Sequence, residues 1–240
     1  MPSEGDFISA ISRIFSTSDE NVEIGIGDDA AVVKAPSRSV LLTTDMAVEG
    51  DHFNRSWSSL EDIGAKITAA NLADIYAMGG MPKHLVVAAA LPHDFSLQEI
   101  EELARGIKNE ADKVGVSVVG GDLVKSPLLT IAITAYGEVE TPILRSGARV
   151  GDFVAVSSLP GASSRGLRDI QNGIDSIDAG LHRRPQVEYS KVRELNRSFT
   201  HALCDVSDGL VSEAQHIATA SNVHIELFGR VLSNDDVLHG

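Results

Sequence analysis

Five short acidic motifs punctuate the 240-residue chain: Gly27-Asp28-Asp29, Thr43-Thr44-Asp45, Asn71-Leu72-Ala73-Asp74, Gly120-Gly121-Asp122 and Asp205-Val206-Ser207-Asp208-Gly209. Most fall at the ends of apolar, strand-like runs or at strand-to-helix turns, where active sites are built. Carboxylates gathered there would repel one another. Two unit charges about 4 Å apart, at an effective dielectric near 20, repel by roughly 4 kcal/mol. Bound cations relieve that repulsion, and hard oxygen donors without a Cys/His pattern favour Mg²⁺ over zinc. Mg²⁺ held by scattered Asp residues beside Gly-rich turns is a means of handling nucleotide phosphates.

Each motif also has a plainer reading. Gly and Asp dominate tight turns, which would explain Gly27-Asp28-Asp29 as a hairpin. Thr43-Thr44-Asp45 offers two hydroxyls and a carboxylate, or else a solvated strand edge. Paired glycines at 120–121 permit close backbone approach to a phosphate or metal, or simply make a turn. Asp205 to Gly209 runs into a helix, whose N-terminus favours an anion; the plain reading is an N-cap, and capping and phosphate binding can coexist. The helical motif is the most specific. Ile63, Ile67, Asn71, Asp74 and Met78 share one helix face, so Asn71 and Asp74 continue an apolar stripe, and a buried Asp is costly unless paired or metal-bound.

The elements that must position these residues follow from periodicity. Residues 7–15 have helical spacing. Val40–Thr44 reads as a buried strand running into Asp45. Ser59 caps a helix from Leu60 to about Met78, which Gly79-Gly80 stops. A strand at His84–Leu91 precedes a capping box at Ser96–Glu99 and a helix ending at Gly115. Val116–Val119 forms a short strand delivering Gly120-Gly121-Asp122, and Leu128–Val139 a longer one. Beyond the polar break near 140–151 come strands at Phe153–Ser157, Ala202–Asp205 and Val223–Leu227, with helices near Ser164–Gln171, Gln186–Leu195 and Leu210–Ala220. The alternation gives a mixed α/β chain in two domains, 1–139 and 140–240. No Walker A sequence occurs, so a nucleotide site here is not a P-loop.

Composition narrows the function. The net charge is −14, which argues against nucleic acid as a partner. No apolar run reaches the ~20 residues of a membrane helix, and the cytoplasm is the expected compartment. The single Cys204 rules out an intramolecular disulfide and reads as a small buried hydrophobe.

Taken together, the motifs resemble the thiamine-monophosphate kinases, relatives of aminoimidazole ribonucleotide synthetase and selenophosphate synthetase. The resemblance rests on Gly25–Ala31, Thr43–Phe53, Ala70–Gly79, Val119–Asp122, Arg145–Ala148 and Asp205–Leu210. It implies an α+β fold with an N-terminal dimerisation domain of sheet and helices and a C-terminal α/β domain. The implied activity is ATP-dependent phosphorylation of thiamine monophosphate to thiamine diphosphate, by a homodimer using several Mg²⁺ ions. By resemblance, Asp29, Thr43, Thr44, Asp45, Asp74, Asp122, Asp205 and Asp208 ligate Mg²⁺. Gly121, Asp122, Arg145 and Ser207 hold ATP, His52 contacts the substrate, and Asp45, Asp122 and Arg145 act in catalysis. Family members continue beyond the equivalent of Gly240 with a segment that helps hold thiamine. Either the sequence is truncated at Gly240 or this form lacks part of its substrate pocket, and the 240-residue chain is expected to bind an ATP analogue with Mg²⁺ while binding thiamine monophosphate poorly. The alternatives are a catalytically incomplete ATP/Mg²⁺-binding protein and a sibling ATP-using synthetase.

Overall fold

The computed structural model describes residues 4–24, 26, 32–34, 37–158, 160–194 and 199–228. Two compact units emerge, Met1–Ile75 with Met81–Glu140, and Tyr76–Gly80 with Thr141–Gly240.

The first unit contains α1 (Glu4–Ile14), β1 (Val22–Ile24), β2 (Val32–Val33), β3 (Ser39–Val48), α2 (Leu60–Ala77, its last residues counted with the second unit), β4 (Met81–Leu91), α3 (Leu97–Asp112), β5 (Ser117–Lys125) and β6 (Thr130–Val139). β1 and β2 form a two-stranded ribbon, and the other four strands form a sheet in the order β3-β6-β4-β5. β6 pairs antiparallel with β3 and β4, while β4 and β5 run parallel across the α3 connection. The helix starts are chemical. Ser59 Oγ accepts the Asp62 N–H at 3.1 Å, and Ser96 and Glu99 close the expected capping box. Ile131, Ile133, Ala135, Leu85 and Ala89 on one sheet face form the core with Ile63, Ile67 and Leu72 of α2 and Leu103 and Ile107 of α3. Burial of each large side chain stabilises by about 1.5–3 kcal/mol.

The other sheet face is open. Val40, Leu42, Met46, Val86 and Val124 project from it, with Leu42 71% and Met46 61% exposed. The sequence reading of 40–44 as a buried strand is therefore corrected, because its side chains alternate between the core-facing and the open face. β3 also continues three residues past Asp45, since β6 offers a partner at every position from Ser39 to Val48. Asp45 is thus inside a strand rather than at its end. Likewise Gly120-Gly121-Asp122 lies within β5, whose ladder with β4 extends to Lys125.

The second unit holds a 3₁₀ turn (Arg145–Gly147), α4 (Ala162–Gln171), α5 (Ile177–Arg183), α6 (Tyr189–Arg193) and α7 (Leu210–Ser221). Tyr76 Oη accepts from Arg193 Nη2 at 2.8 Å, and Ser176 Oγ caps α5. The expected strands at Phe153–Ser157, Ala202–Asp205 and Val223–Leu227 have no ladder partner among the described residues. An apolar alternating run is a strand only when a neighbour takes up its N–H and C=O groups, and Phe153 is 99% exposed. The helix expected near 186–195 is the short α6, and Leu195 lies outside the described residues. α5 was not anticipated. No described helix is long and apolar enough to cross a membrane.

One buried ring makes the first unit sensitive to acid. His84 is buried, stacked on Tyr136 with ring centroids 5.7 Å apart. Burial pulls its pKa below the ordinary value, opposed by Asp19, whose Oδ2 lies 3.7 Å from Nδ1. A folded pKa below the unfolded one means stability present above about pH 6.5 and lost as the pH falls below it. The melting temperature should drop between about pH 7.5 and 5.5, and His84→Phe, which keeps the stack, should flatten that slope. Thermal melts across the range check this, and an unchanged slope in the variant would refute it.

Candidate functional site

The sequence-derived residues fall into three places. The first is the strip between β3 and α2. Thr43 and Asp45 project from the same face of β3, because alternate residues of a strand share a face. On α2, the fully buried Asn71 donates through its amide to the Ile67 carbonyl at 2.9 Å. Its Oδ1 accepts the Asp45 N–H at 3.2 Å. One turn on, Asp74 accepts the Thr43 hydroxyl at 2.6 Å. The inward stripe expected of α2 thus meets the Thr43/Asp45 face. Burial raises the Asp45 carboxyl above the ordinary carboxylate value. Its charge is partly desolvated, and a cation nearby would stabilise it. Thr43 and Asp74 are joined by their hydrogen bond and Asp45 lies on the same strand face; their oxygens are hard donors of the kind that favours Mg²⁺ over a soft metal.

His52 follows β3 in a loop closed by the Glu49–Phe53 bridge. Phe53 is buried, and Arg55 Nε donates to Glu49 at 2.7 Å. The His52 Nδ1 accepts the Val48 N–H at 3.2 Å, which leaves Nε2 to carry the proton of the neutral ring.

The second place is the open face. Thr44 points there, away from Thr43 and Asp45. Its hydroxyl donates to the Ile133 carbonyl at 3.1 Å and accepts from Thr134 at 3.1 Å. Asp122 also lies on this face, in register with Ala88 of β4, which is in register with Ala132 of β6 and so with Met46 of β3. β3 and β5 are the two edges of the sheet, three strand spacings or about 14 Å apart. Asp45 and Asp122, expected together at one Mg²⁺ cluster, therefore occupy opposite faces and opposite edges within a chain. Gly121 faces inward. A Cβ there would lie 2.0 Å from the Val87 carbonyl, so the close approach that requires glycine is to β4 backbone.

The third place is in the second unit. Arg145 opens the 3₁₀ turn, with Nη2 3.6 Å from Asp205 Oδ1 and 3.9 Å from Glu213 Oε2. It is no stray linker charge. Gly147 lets the turn sit against the backbone at His201, since a Cβ there would lie 1.8 Å from the His201 carbonyl. Ser207 and Asp208 stand exposed just before α7. The N-cap of α7 is Gly209, with no side-chain cap bond, so the reading of this motif as a side-chain cap fails. Cys204 is half-buried rather than buried, its thiol pushed up to about 11 by burial and by the nearby acids Glu213 and Asp205. Asp29 lies outside the described residues. Among the described residues, no group of three or more His, Cys, Asp or Glu side chains is assembled to hold a metal ion. Sequence reasoning missed Glu213, which looks like any acid in the first turn of a helix.

Residues 27–139 match the family model described as AIR synthase related protein, N-terminal domain. The thiamine-monophosphate kinase of Mycobacterium tuberculosis (strain CDC 1551 / Oshkosh) is 38% identical over 219 residues, which are 89% of this chain and 66% of that protein. The crystal structure of thiamine-monophosphate kinase from Stenotrophomonas maltophilia K279a is 32% identical, with a TM-score of 0.81 over 98% of this chain and 80% of that one. The chain belongs to the thiamine-monophosphate kinase family. A further solved member, AaThiL complexed with AMPPCP and TMP, is 34% identical with a TM-score of 0.77, over 97% of this chain and 75% of that one. The chain spans about two thirds of the length of the curated thiamine-monophosphate kinases it matches. Its mixed α/β fold is that of this kinase family.

Proposed function

We propose that this protein transfers the γ-phosphoryl group of ATP to thiamine monophosphate, giving thiamine diphosphate and ADP. The observation that carries the reading is the likeness to a family structure holding both AMPPCP and TMP. An oxygen of the acceptor phosphate attacks the γ-phosphorus, and the bond to the β,γ-bridging oxygen breaks as ADP leaves. An acceptor that is already a phosphate needs little help from a general base. The protein's task is to bring two polyanions together and steady a loose transition state.

Thr43, Asp45 and Asp74 would hold Mg²⁺ on the β3–α2 strip, with Asp122, Asp205 and Asp208 as further carboxylates, Asp29 and Thr44 completing the set the resemblance implies. Bound Mg²⁺ supplies charge neutralisation to the phosphates. Arg145 presents a planar guanidinium suited to phosphate oxygens, Gly121 and Ser207 complete the nucleotide contacts, and His52 offers Nε2–H to the substrate. A homodimer is part of this reading, since the open face of the sheet needs a cover and a second copy provides one of matching chemistry. The expected compartment is the cytoplasm.

A second reading is nucleotide and Mg²⁺ binding without turnover, favoured by the three apolar runs of the second unit that have no ladder partner among the described residues. One assay separates the two. Thiamine diphosphate formed from ATP and thiamine monophosphate, dependent on added Mg²⁺, supports the kinase. Binding of AMPPCP without any product supports the second reading.

A further inference from the structure

We infer that Glu213 is a positioning residue for the nucleotide, acting through Arg145. The inference rests on the reading that Arg145 meets a phosphate of ATP. Glu213 is 3% exposed, and a carboxylate so removed from water is costly unless a cation and hydrogen bonds accompany it. Arg145 Nη2 lies 3.9 Å from its Oε2, and His216 Nδ1 lies 3.1 Å from the same oxygen. Arg145 itself is about half exposed, at 49% of its side chain. One nitrogen of the guanidinium is thus turned toward buried acid, while a guanidinium has five N–H donors in all.

Asp205 also faces Arg145 Nη2, at 3.6 Å, but its role differs. Asp205 is a candidate cation ligand, so its hold on the guanidinium is shared whenever a cation binds. Glu213 is buried and has no such second duty. The same helix grips the Arg145 turn a second time from its far end. Ser221 Oγ donates to the Arg145 carbonyl at 2.7 Å and accepts the Ala148 N–H at 3.0 Å. α7 therefore holds the Arg145 backbone through the Ser221 hydrogen bonds and faces its guanidinium with the buried Glu213 carboxylate, an ion pair longer than a hydrogen bond. A guanidinium held this way loses less freedom on meeting a phosphate, and preorganisation of that kind appears as affinity.

The test is a double-mutant cycle in AMPPCP affinity, measured by calorimetry with Mg²⁺ on the whole chain. Glu213→Gln should weaken binding by roughly three- to tenfold, since it removes the charge that orients Arg145 and no direct contact to the nucleotide. Arg145→Ala should weaken it at least as much, and the double variant should bind no more weakly than Arg145→Ala alone. Glu213→Asp, which keeps the charge and guards against a variant that does not fold, should give an intermediate loss. Losses that add in the double variant would show that Glu213 acts without Arg145 and would overturn the inference. An unchanged affinity in Glu213→Gln beside a weakened Arg145→Ala would overturn it while leaving the Arg145 reading intact. An unchanged affinity in Arg145→Ala would remove both.

Discussion

Asp45→Asn should lower kcat by two orders of magnitude or more while leaving the fold intact or slightly firmer. Asp45 sits on β3 with its backbone N–H donated to Asn71 and its carboxyl raised by burial. An amide preserves the side chain's shape and removes a partly desolvated charge, so the apo protein loses an unfavourable term. A residue with a merely structural role would show the opposite sign. The catalytic loss comes from the cation, because a neutral amide is a far weaker ligand for Mg²⁺ than a carboxylate. Kinetics at saturating Mg²⁺ and thermal melts without it are the measurements, and wild-type turnover in Asp45→Asn would sink the assignment.

Asp122→Asn should be similarly damaging, although Asp122 lies on the opposite face and edge of the same sheet. If both carboxylates serve one reaction centre, two copies must contribute one each. Mixing the two inactive variants under conditions of subunit exchange should then restore about a quarter of wild-type activity, since half the dimers are mixed and half their sites are intact. Absence of any recovery would place each carboxylate in a separate role within its own chain.

The elements of the first unit were legible because their signals are local. Ser59, the Ser96–Glu99 box and the stripe Ile63–Ile67–Asn71–Asp74 each specify a helix start or face from residues a few positions apart. Strand ends were not legible, because they depend on the neighbour: β6 carries β3 past Asp45, and β4 carries β5 past Asp122. The same reason accounts for the second unit, where apolar runs at 153–157, 202–205 and 223–227 look like strands in isolation and pair with nothing described. At the site, the union of Thr43 with Asp74 follows from an inward helix face meeting a strand. The split between Thr43 and Thr44 was equally available from strand alternation, yet a contiguous motif invites grouping its residues together. Glu213 carried no signal, for only the fold brings α7 against the Arg145 turn. At Gly121 the close approach that glycine permits is visible toward the Val87 carbonyl, a neighbour that two adjacent glycines in a sequence do not reveal.

Leu42→Asp combined with Met46→Asp should convert a dimer into a monomer. In a single chain both side chains project from the open face, at 71% and 61% exposure, so the change costs the isolated chain little. In a two-fold assembly every substitution counts twice. Each Leu or Met side chain buried at an interface contributes at most about 1.5–3 kcal/mol, so four of them account for roughly 6–12 kcal/mol as an upper bound. Each new carboxylate facing an apolar partner adds a desolvation penalty. Since about 1.4 kcal/mol is a tenfold change in affinity, losing half of that bound weakens the dimer by roughly 100- to 10,000-fold. Light scattering at tens of micromolar should report a dimer for the unaltered chain and a monomer of unchanged helix content for the variant. A wild-type monomer at that concentration would remove the dimer from the proposed function. A variant that remains dimeric would move the interface to another surface. Turnover separates the consequences: a monomer that keeps full activity would show that each active site is complete within one chain, against the recovery expected from mixing the Asp45 and Asp122 variants.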